Sequence, residues 1–287
     1  MIKKIILQFA ALAARIFPSS VKQSIYRIEP LARLLRGMLN RAAPAGLTET
    51  EIAGGDLRGW RMALDLQAEK DYWLGTYETD LQAAIADLIQ PGWTVYDAGA
   101  NVGYITLLLA KAVGTPGQVT AFEALPANQE RWRRNMALNN LGERVRLVPA
   151  AVTDTSGTAR FLPGPSDDTG KAVGSAGRQL DYKNALEVPA ISLDDFVYTQ
   201  GNPPPQAVKM DIEGGEVLAL QGMTRLLAGH SPLILLELHG PEAARAAWET
   251  LTAAGYTLHR MAAGYPQVAS LDALDWKAYV IGRFNYG

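Results

Sequence analysis

From Trp93 to the end of the chain, short apolar runs alternate with amphipathic stretches, and this alternation limits the fold more than any other feature. TVYDAG, QVTAFEA, VRLVPAAV, AVKMDI and PLILLELH read as strands. Gly103–Val113, Pro126–Leu141, Glu216–Leu227 and Pro241–Ala254 read as the helices between them. YTLHRM and AYVIGRF close the chain as strands, and a short TARFL strand sits inside a polar, glycine-rich stretch. Strands joined by helices run parallel, because each crossover must cover a face of the sheet. The expected fold class is therefore α/β, a doubly wound parallel sheet with helices on both faces.

Ahead of that sheet the chain has a different character. Residues 1–41 carry Lys3, Lys4, Arg15, Lys22, Arg27, Arg33, Arg36 and Arg41 against Glu29 alone, a balance of +7, while the rest stands at −9. Ile2, Ile5, Ile6, Phe9, Leu12, Ala13 and Ile16 recur at helical spacing. Three readings compete for this basic head, in this order: helices packed on the domain or on a second subunit, a helix lying on an anionic membrane surface, and a signal peptide. Gln8 and Arg15 interrupt the apolar run, and no convincing cleavage site follows it. No apolar run approaches the about 20 residues of a membrane-spanning helix. EIAGGDLRGWRMALDL reads as a hairpin around Gly54-Gly55-Asp56. The expected organisation is a basic amphipathic helical extension over 1–42, a hairpin adaptor over 43–76 and the wound domain over 77–287. With no cysteine in the chain, disulfides, zinc–thiolate sites and cysteine nucleophiles are excluded.

In open α/β sheets ligands sit beyond the carboxyl ends of the strands. The residues there are Asp97, Glu123, Asp211, Glu213, Glu237 and His239, all acidic or histidine. The bend between the first strand and helix is Asp97-x-Gly99-x-Asn101-x-Gly103, which misses the glycine spacing of a dinucleotide fingerprint. Gly99 lets the backbone pass close to a ligand, and the helix start offers N–H groups to an anion such as a carboxylate. Asp97 adds an acceptor for an ammonium group or for the loop's own amides. Glu123, 20 residues past Gly103, can accept two hydrogen bonds from a ribose diol. A ligand with a ribose, a carboxylate and a cationic group fits S-adenosylmethionine better than a dinucleotide.

VYDAGANVGY, AFEALPANQERWRRNMALNN, AAVTD, VKMDIEGGEVLALQGM and LLELH, in this order, resemble the FkbM family of S-adenosylmethionine-dependent methyltransferases. The resemblance runs from about Tyr77 to about His239 and is most specific at Lys209–Gly214. It implies a seven-stranded Rossmann-like methyltransferase sheet with the last strand inserted antiparallel. It also implies methyl transfer to oxygen on sugars, glycolipids, polysaccharide building blocks or secondary metabolites. By position, Asp97, Gly99, Asn101 and Gly103 would surround the methionine part of the cofactor, and Glu123 would take the ribose hydroxyls. The segment Ala150–Asp154, with Ala151 and Asp154, would border the adenine. Tyr77 and Glu78, in the family's lead-in, would close over the methionine end. The sequence departs from the family at Ala124-Leu125-Pro126, where many members have Glu-Pro directly.

An alcohol is a poor nucleophile, so a group that removes its proton helps methyl transfer. Asp211, His239 and Glu213 are the catalytic candidates, and among three histidines only His239 ends a strand on the ligand edge. In one mechanism His239 or Asp211 is a general base. In the other, Asp211 with Glu237 or His239 holds a magnesium-like ion. Blander roles stand beside these: Glu213 capping the next helix, Glu237 pairing with Lys209. The Gly-, Ser- and Asp-rich stretch over 164–184 is long enough for a lid. The expected acceptor is a small molecule or glycan hydroxyl, with an N-methyltransferase or a non-catalytic scaffold of a glycan-synthesis assembly as rivals. Nucleic acid is not expected as a partner, since the basic head carries no interleaved aromatic platform. The expected location is cytoplasmic, with peripheral contact at the inner membrane face and a homo-oligomer left open.

Overall fold

The structure, a computed structural model, describes residues 2–16, 29–163, 170–172 and 185–285. Apart from 170–172, the expected lid over 164–184 lies outside the described residues. Two compact units emerge, one formed by residues 1–83 with 134–140, the other by 84–133 with 141–287.

In the first unit, helices α1 (Ile2–Ile16) and α2 (Glu29–Ala42) precede a hairpin of β1 (Leu47–Glu51) and β2 (Arg61–Asp65) and a short helix α3 (Lys70–Leu74). The hairpin is antiparallel, with Leu47 opposite Asp65 and Glu51 opposite Arg61. Its connection passes through Gly54, where a Cβ would sit 2.6 Å from the Leu74 carbonyl and 2.9 Å from the Ala14 carbonyl. Only glycine lets three backbones meet this closely. Along β2, Asn135 accepts from the Ala63 N–H at 2.8 Å and Asn139 from the Arg61 N–H at 2.9 Å. These amides satisfy donors that a strand edge otherwise leaves open.

Helix α4 (Thr79–Leu88) leads into the second unit, followed by β3 (Thr94–Ala98), α5 (Tyr104–Val113), β4 (Gln118–Phe122), α6 (Pro126–Ala137) and β5 (Val145–Val148). Then come β6 (Ala151–Val152), β7 (Gly157–Pro163), β8 (Gly170–Ala172) and β9 (Leu186–Ile191). The unit closes with β10 (Ala207–Met210), α7 (Glu216–Gln221), α8 (Thr224–His230), β11 (Leu233–Glu237), α9 (Pro241–Ala253), β12 (Tyr256–Arg260) and β13 (Tyr279–Phe284). Seven of these strands form one sheet in the order β12-β13-β11-β10-β3-β4-β5. Pairing is parallel from β11 to β5, while β13 runs antiparallel to both β11 and β12. This is the doubly wound sheet with an inserted antiparallel strand that the resemblance implies. Its central strands are near-continuous apolar runs because helices cover both faces. Tyr96, Phe122 and Phe196 meet edge-to-face in this core, with centroids 5.0–5.5 Å apart.

Several boundaries differ from the sequence expectations. VRLVPAAV is two strands in two sheets, because Pro149 lacks the N–H that would carry the ladder onward. Its second half, β6, joins β7, β8 and β9 in a four-stranded sheet of order β6-β9-β7-β8. The single helix expected over 216–227 is two helices. At Gly222 a Cβ would run into the Thr153 carbonyl, and the new start of α8 is capped by Asp194, which accepts from the Arg225 and Leu226 N–H groups at 2.9 and 2.8 Å. The helix expected to run to Leu141 ends at Ala137, ahead of Asn140 with a left-handed φ of 53°.

Candidate active site

The bend after β3 is left-handed at alternate residues, with φ of 79° at Gly99, 49° at Asn101 and 95° at Gly103. At Gly99 a Cβ would collide with the Asp211 carbonyl, so glycine here lets the loop lie against the end of β10. Asparagine tolerates the left-handed region better than other side-chain-bearing residues. Glu123 holds the loop in shape: Oε2 accepts from the Asn101 N–H and Oε1 from the Leu125 N–H, each at 2.8 Å. Burial pushes this carboxyl's pKa upward, against the pull of those two N–H groups, the Asn128 amide and the Lys209 charge. Each carboxylate oxygen retains a further lone pair for a ligand hydroxyl. The side-chain oxygen of Asn101 is buried and has no hydrogen-bond partner within the protein.

Asp97 is fully buried; one of its oxygens is hydrogen-bonded, while the other has no hydrogen-bond partner and faces a buried cation. Oδ2 accepts from the Thr106 hydroxyl at 2.6 Å, and that hydroxyl accepts from the Trp132 indole at 3.0 Å. Oδ1 lies 3.4 Å from Nζ of Lys209. Lys209 is itself buried in the middle of the sheet, donates to the Gly99 carbonyl at 3.2 Å and lies 3.8 Å from Asp211. One cation thus ties the end of β3, the bend and the end of β10 together. A charge in so dry a place requires an opposite charge beside it.

The ends of β10 and β11 form a second cluster. His239 Nδ1 lies 2.9 Å from Oε1 of Glu216, a carboxylate with no solvent exposure at the start of α7. The same Oε1 faces the Gly214 and Ile212 N–H groups at 3.1 and 3.4 Å. A carboxylate partner makes Nδ1 the donor and leaves Nε2 as the working nitrogen. Nε2 faces Glu237 at 3.7 Å, Asp211 at 3.8 Å and Glu213 at 3.9 Å. Burial lowers the imidazole pKa, but the Glu216 hydrogen bond and the charges of Glu216, Asp211 and Glu237 outweigh it and raise the value to about 9. Asp211 also accepts from the Tyr279 hydroxyl at 3.3 Å. Asp211, Glu237 and His239 each bring one ligand atom within 4.8 Å of the others. Such a set could hold a divalent ion, and the imidazole in it suits a transition metal better than magnesium.

The structure therefore brings Asp211, Glu213, Glu237 and His239 around one point, and sets Asp97, Gly99, Asn101, Gly103 and Glu123 at the neighbouring strand ends. Ala151 is buried in β6 and Asp154 is exposed just beyond it. Tyr77 and Glu78 belong to the first unit, where Tyr77 packs edge-on against Tyr72 and Glu78 has a left-handed φ of 43°. Sequence reasoning placed Lys209 only as a partner of Glu237, missing its contact with Asp97, and missed Glu216 and Tyr279 altogether. A lysine among the apolar residues of a central strand was a usable signal, since it must be paired. Glu216 and Tyr279 gave none, being brought to the site by contacts distant in sequence.

The family model of the methyltransferase FkbM domain matches residues 97–258, from the end of β3 into β12. The chain belongs to the FkbM family of S-adenosylmethionine-dependent methyltransferases. It is similar to the hexuronic acid methyltransferase AglP of Haloferax volcanii, 25% identical over 162 residues that cover 56% of this chain and 62% of that protein. The match thus spans less than two thirds of that relative's length. A tRNA (adenine(58)-N(1))-methyltransferase TrmI of Thermus thermophilus is 36% identical over 101 residues, 34% of this chain and 39% of that one. Among solved structures, the methyltransferase FkbM from Methylobacillus flagellatus KT aligns with 18% identity and a TM-score of 0.46, over 76% of this chain and 53% of that chain.

Proposed function

We propose that this protein transfers a methyl group from S-adenosylmethionine to a hydroxyl oxygen of a neutral, sugar-containing or lipid-linked acceptor. The observation that carries this reading is the Glu216–His239 pair, which aims Nε2 into a ring of carboxylates at the strand ends. Bound, the cofactor supplies a methyl carbon on a positively charged sulfur. The bend fits its polar groups: the spare lone pairs of Glu123 suit the ribose hydroxyls, the buried Asn101 oxygen suits an ammonium, and the start of α5 suits a carboxylate. Ala151 to Asp154 would border the adenine. In the transfer, an acceptor oxygen forms the bond to the methyl carbon as the carbon–sulfur bond breaks. Once Nε2 of His239 has lost its own proton, the hydroxyl proton passes to it, and the imidazolium so formed is held by Glu216. Positioning the oxygen in line with the methyl supplies most of the remaining acceleration.

The acceptor class follows from charge. Asp211, Glu213, Glu216 and Glu237 crowd one imidazole, so an anionic acceptor would be repelled, whereas hydroxyl groups can donate to the carboxylates. The similarity to a hexuronic acid methyltransferase supports a sugar, and the site's negative charge favours neutral sugars over acidic ones. Because the cofactor is made inside the cell, we place the reaction in the cytoplasm.

Calorimetric titration of S-adenosylmethionine with the protein and with Glu123→Ala tests the cofactor site. The substitution should weaken binding about 10-fold or more, equivalent to about 1.4 kcal/mol. Incubation with methyl-labelled cofactor and a panel of neutral glycans, uronic acids, amines and tRNA tests the acceptor. Label on neutral glycan oxygen supports the proposal; label confined to amines or tRNA, or an absence of cofactor binding, overturns it.

A further inference from the structure

Helix α1 shows its apolar side chains in an order opposite to that of an ordinary surface helix. Ile5, Phe9, Leu12 and Ile16 recur at spacings of four, three and four, on one face, and all are exposed, Phe9 by 69% and Ile16 by 64%. The opposite face holds Ala14, which is buried, and Leu7 and Ala10, which are partly buried. Ala14 seats directly on the Gly54 backbone, and α1 packs against α2 and α3 within the first unit. A helix packed on its own domain buries its bulky stripe. This one anchors through Leu7, Ala10 and Ala14 and turns a second bulky stripe outward.

Two occupants are compatible with an exposed apolar helix face, a second copy of this chain or a lipid surface. Charge decides between them. Residues 1–41 carry +7, so two copies meeting through α1 would bring two strongly basic heads together. An anionic bilayer presents the complementary sign and takes the apolar stripe into its acyl boundary. Arg15, exposed beside Leu12 and Ile16 at the edge of the stripe, is paired with Glu51 at 3.0 Å, so the attraction rests on the remaining positive charge of this end of the sequence. No helix among the described residues is long and apolar enough to cross a membrane, so the helix would lie on the surface rather than span it.

We infer that α1 is a peripheral docking helix for anionic lipid bilayers, with Ile5, Phe9, Leu12 and Ile16 as the inserting face and the excess positive charge of this end of the sequence as the attraction. This inference does not depend on the reading of the active site.

The test is co-flotation of the full chain with vesicles of phosphatidylcholine alone and of phosphatidylcholine with about one third phosphatidylglycerol. The parallel variant is Phe9→Asp/Leu12→Asp, whose sites are already exposed. Partition to the anionic vesicles should exceed that to neutral ones about 10-fold or more, and fall steeply with added salt. The double variant should lose about 10-fold or more of that binding while its circular dichroism and S-adenosylmethionine affinity stay unchanged. Absence of binding to anionic vesicles at low salt overturns the inference, as does binding that the double variant leaves intact. Sedimentation separates the rival occupant: a dimer that the double variant converts to monomer, without vesicle binding, assigns the stripe to a second copy instead.

Discussion

Asp97 and Glu123, at the ends of β3 and β4, are buried, and their oxygens are engaged at 2.6 to 3.4 Å by a hydroxyl, backbone N–H groups and one lysine. Asp211, Glu213 and Glu237, at the ends of β10 and β11 or just beyond, are partly exposed and stand 3.7 to 3.9 Å from one imidazole nitrogen. The first pair is braced and dry; the second group is loose and reachable by solvent. A binding loop needs the former, because its shape must exist before the ligand arrives. A reacting centre needs the latter, because protons must enter and leave and the acceptor must displace water.

The comparison breaks most sharply at His239. If Nε2 is the proton acceptor, His239→Gln should lower kcat by about 100-fold to 10,000-fold. Cofactor affinity, which the proposed function assigns to the braced end, should not move. Steady-state kinetics beside calorimetry read both. A variant that loses cofactor affinity and turnover together would show that the two clusters act as one site. Full loss of wild-type turnover with a chelator, restored by a divalent metal, would show that the loose cluster works by holding an ion.

Next in size is the brace itself. Lys209→Met leaves Asp97 charged and unpaired in the interior, and breaking a buried pair in this way costs about 3–5 kcal/mol. Thermal unfolding should show a fall of many degrees. Adding Asp97→Asn should recover much of that loss, since a neutral pair needs no counter-charge. If the single substitution leaves the melting temperature unchanged, the buried lysine does not hold the braced end together.

These residues also show what could be read in advance. The doubly wound parallel sheet was legible because β3, β4, β10 and β11 are apolar runs separated by helical periodicity, and both periods survive whatever the tertiary context; its seven strands and antiparallel insertion came from the family resemblance. The strand-end carboxylates were legible for the same reason, since a strand fixes where its last residue points. The four-stranded sheet was not. Leu186–Ile191 carries Pro189 at its centre and alternates weakly, so nothing local marks it as a strand; its partners decide. Glu216 was hidden differently. It sits in the first turn of α7, where a glutamate is ordinary, and only the fold brings it to an imidazole 23 residues away. For α1, periodicity gave the stripe but could not say which face turns inward, because that depends on Gly54 meeting Ala14.

The smallest effect sharpens the comparison most, because it isolates charge from geometry. His239 has its pKa raised to about 9 by the Glu216 hydrogen bond and the surrounding carboxylates, against the downward pull of burial. The folded value lies above the unfolded value of about 6.5. The imidazolium therefore contributes stability that is fully present below about pH 6.5 and is lost as the pH rises through about 9. Turnover should run the opposite way, rising toward pH 9 as Nε2 loses its proton. Glu216→Gln keeps an oxygen facing Nδ1, Gly214 and Ile212 but removes the charge. Both midpoints should then move to lower pH by about one pH unit or more, so the variant should be the faster enzyme relative to its own maximum near pH 7 and the less stable protein there. Melting temperatures and kcat measured across pH 6 to about 9.5 for both proteins read the two midpoints together. A turnover midpoint that stays in place while the stability midpoint moves would mean that a group other than His239, with Asp211 the nearest candidate, takes the proton.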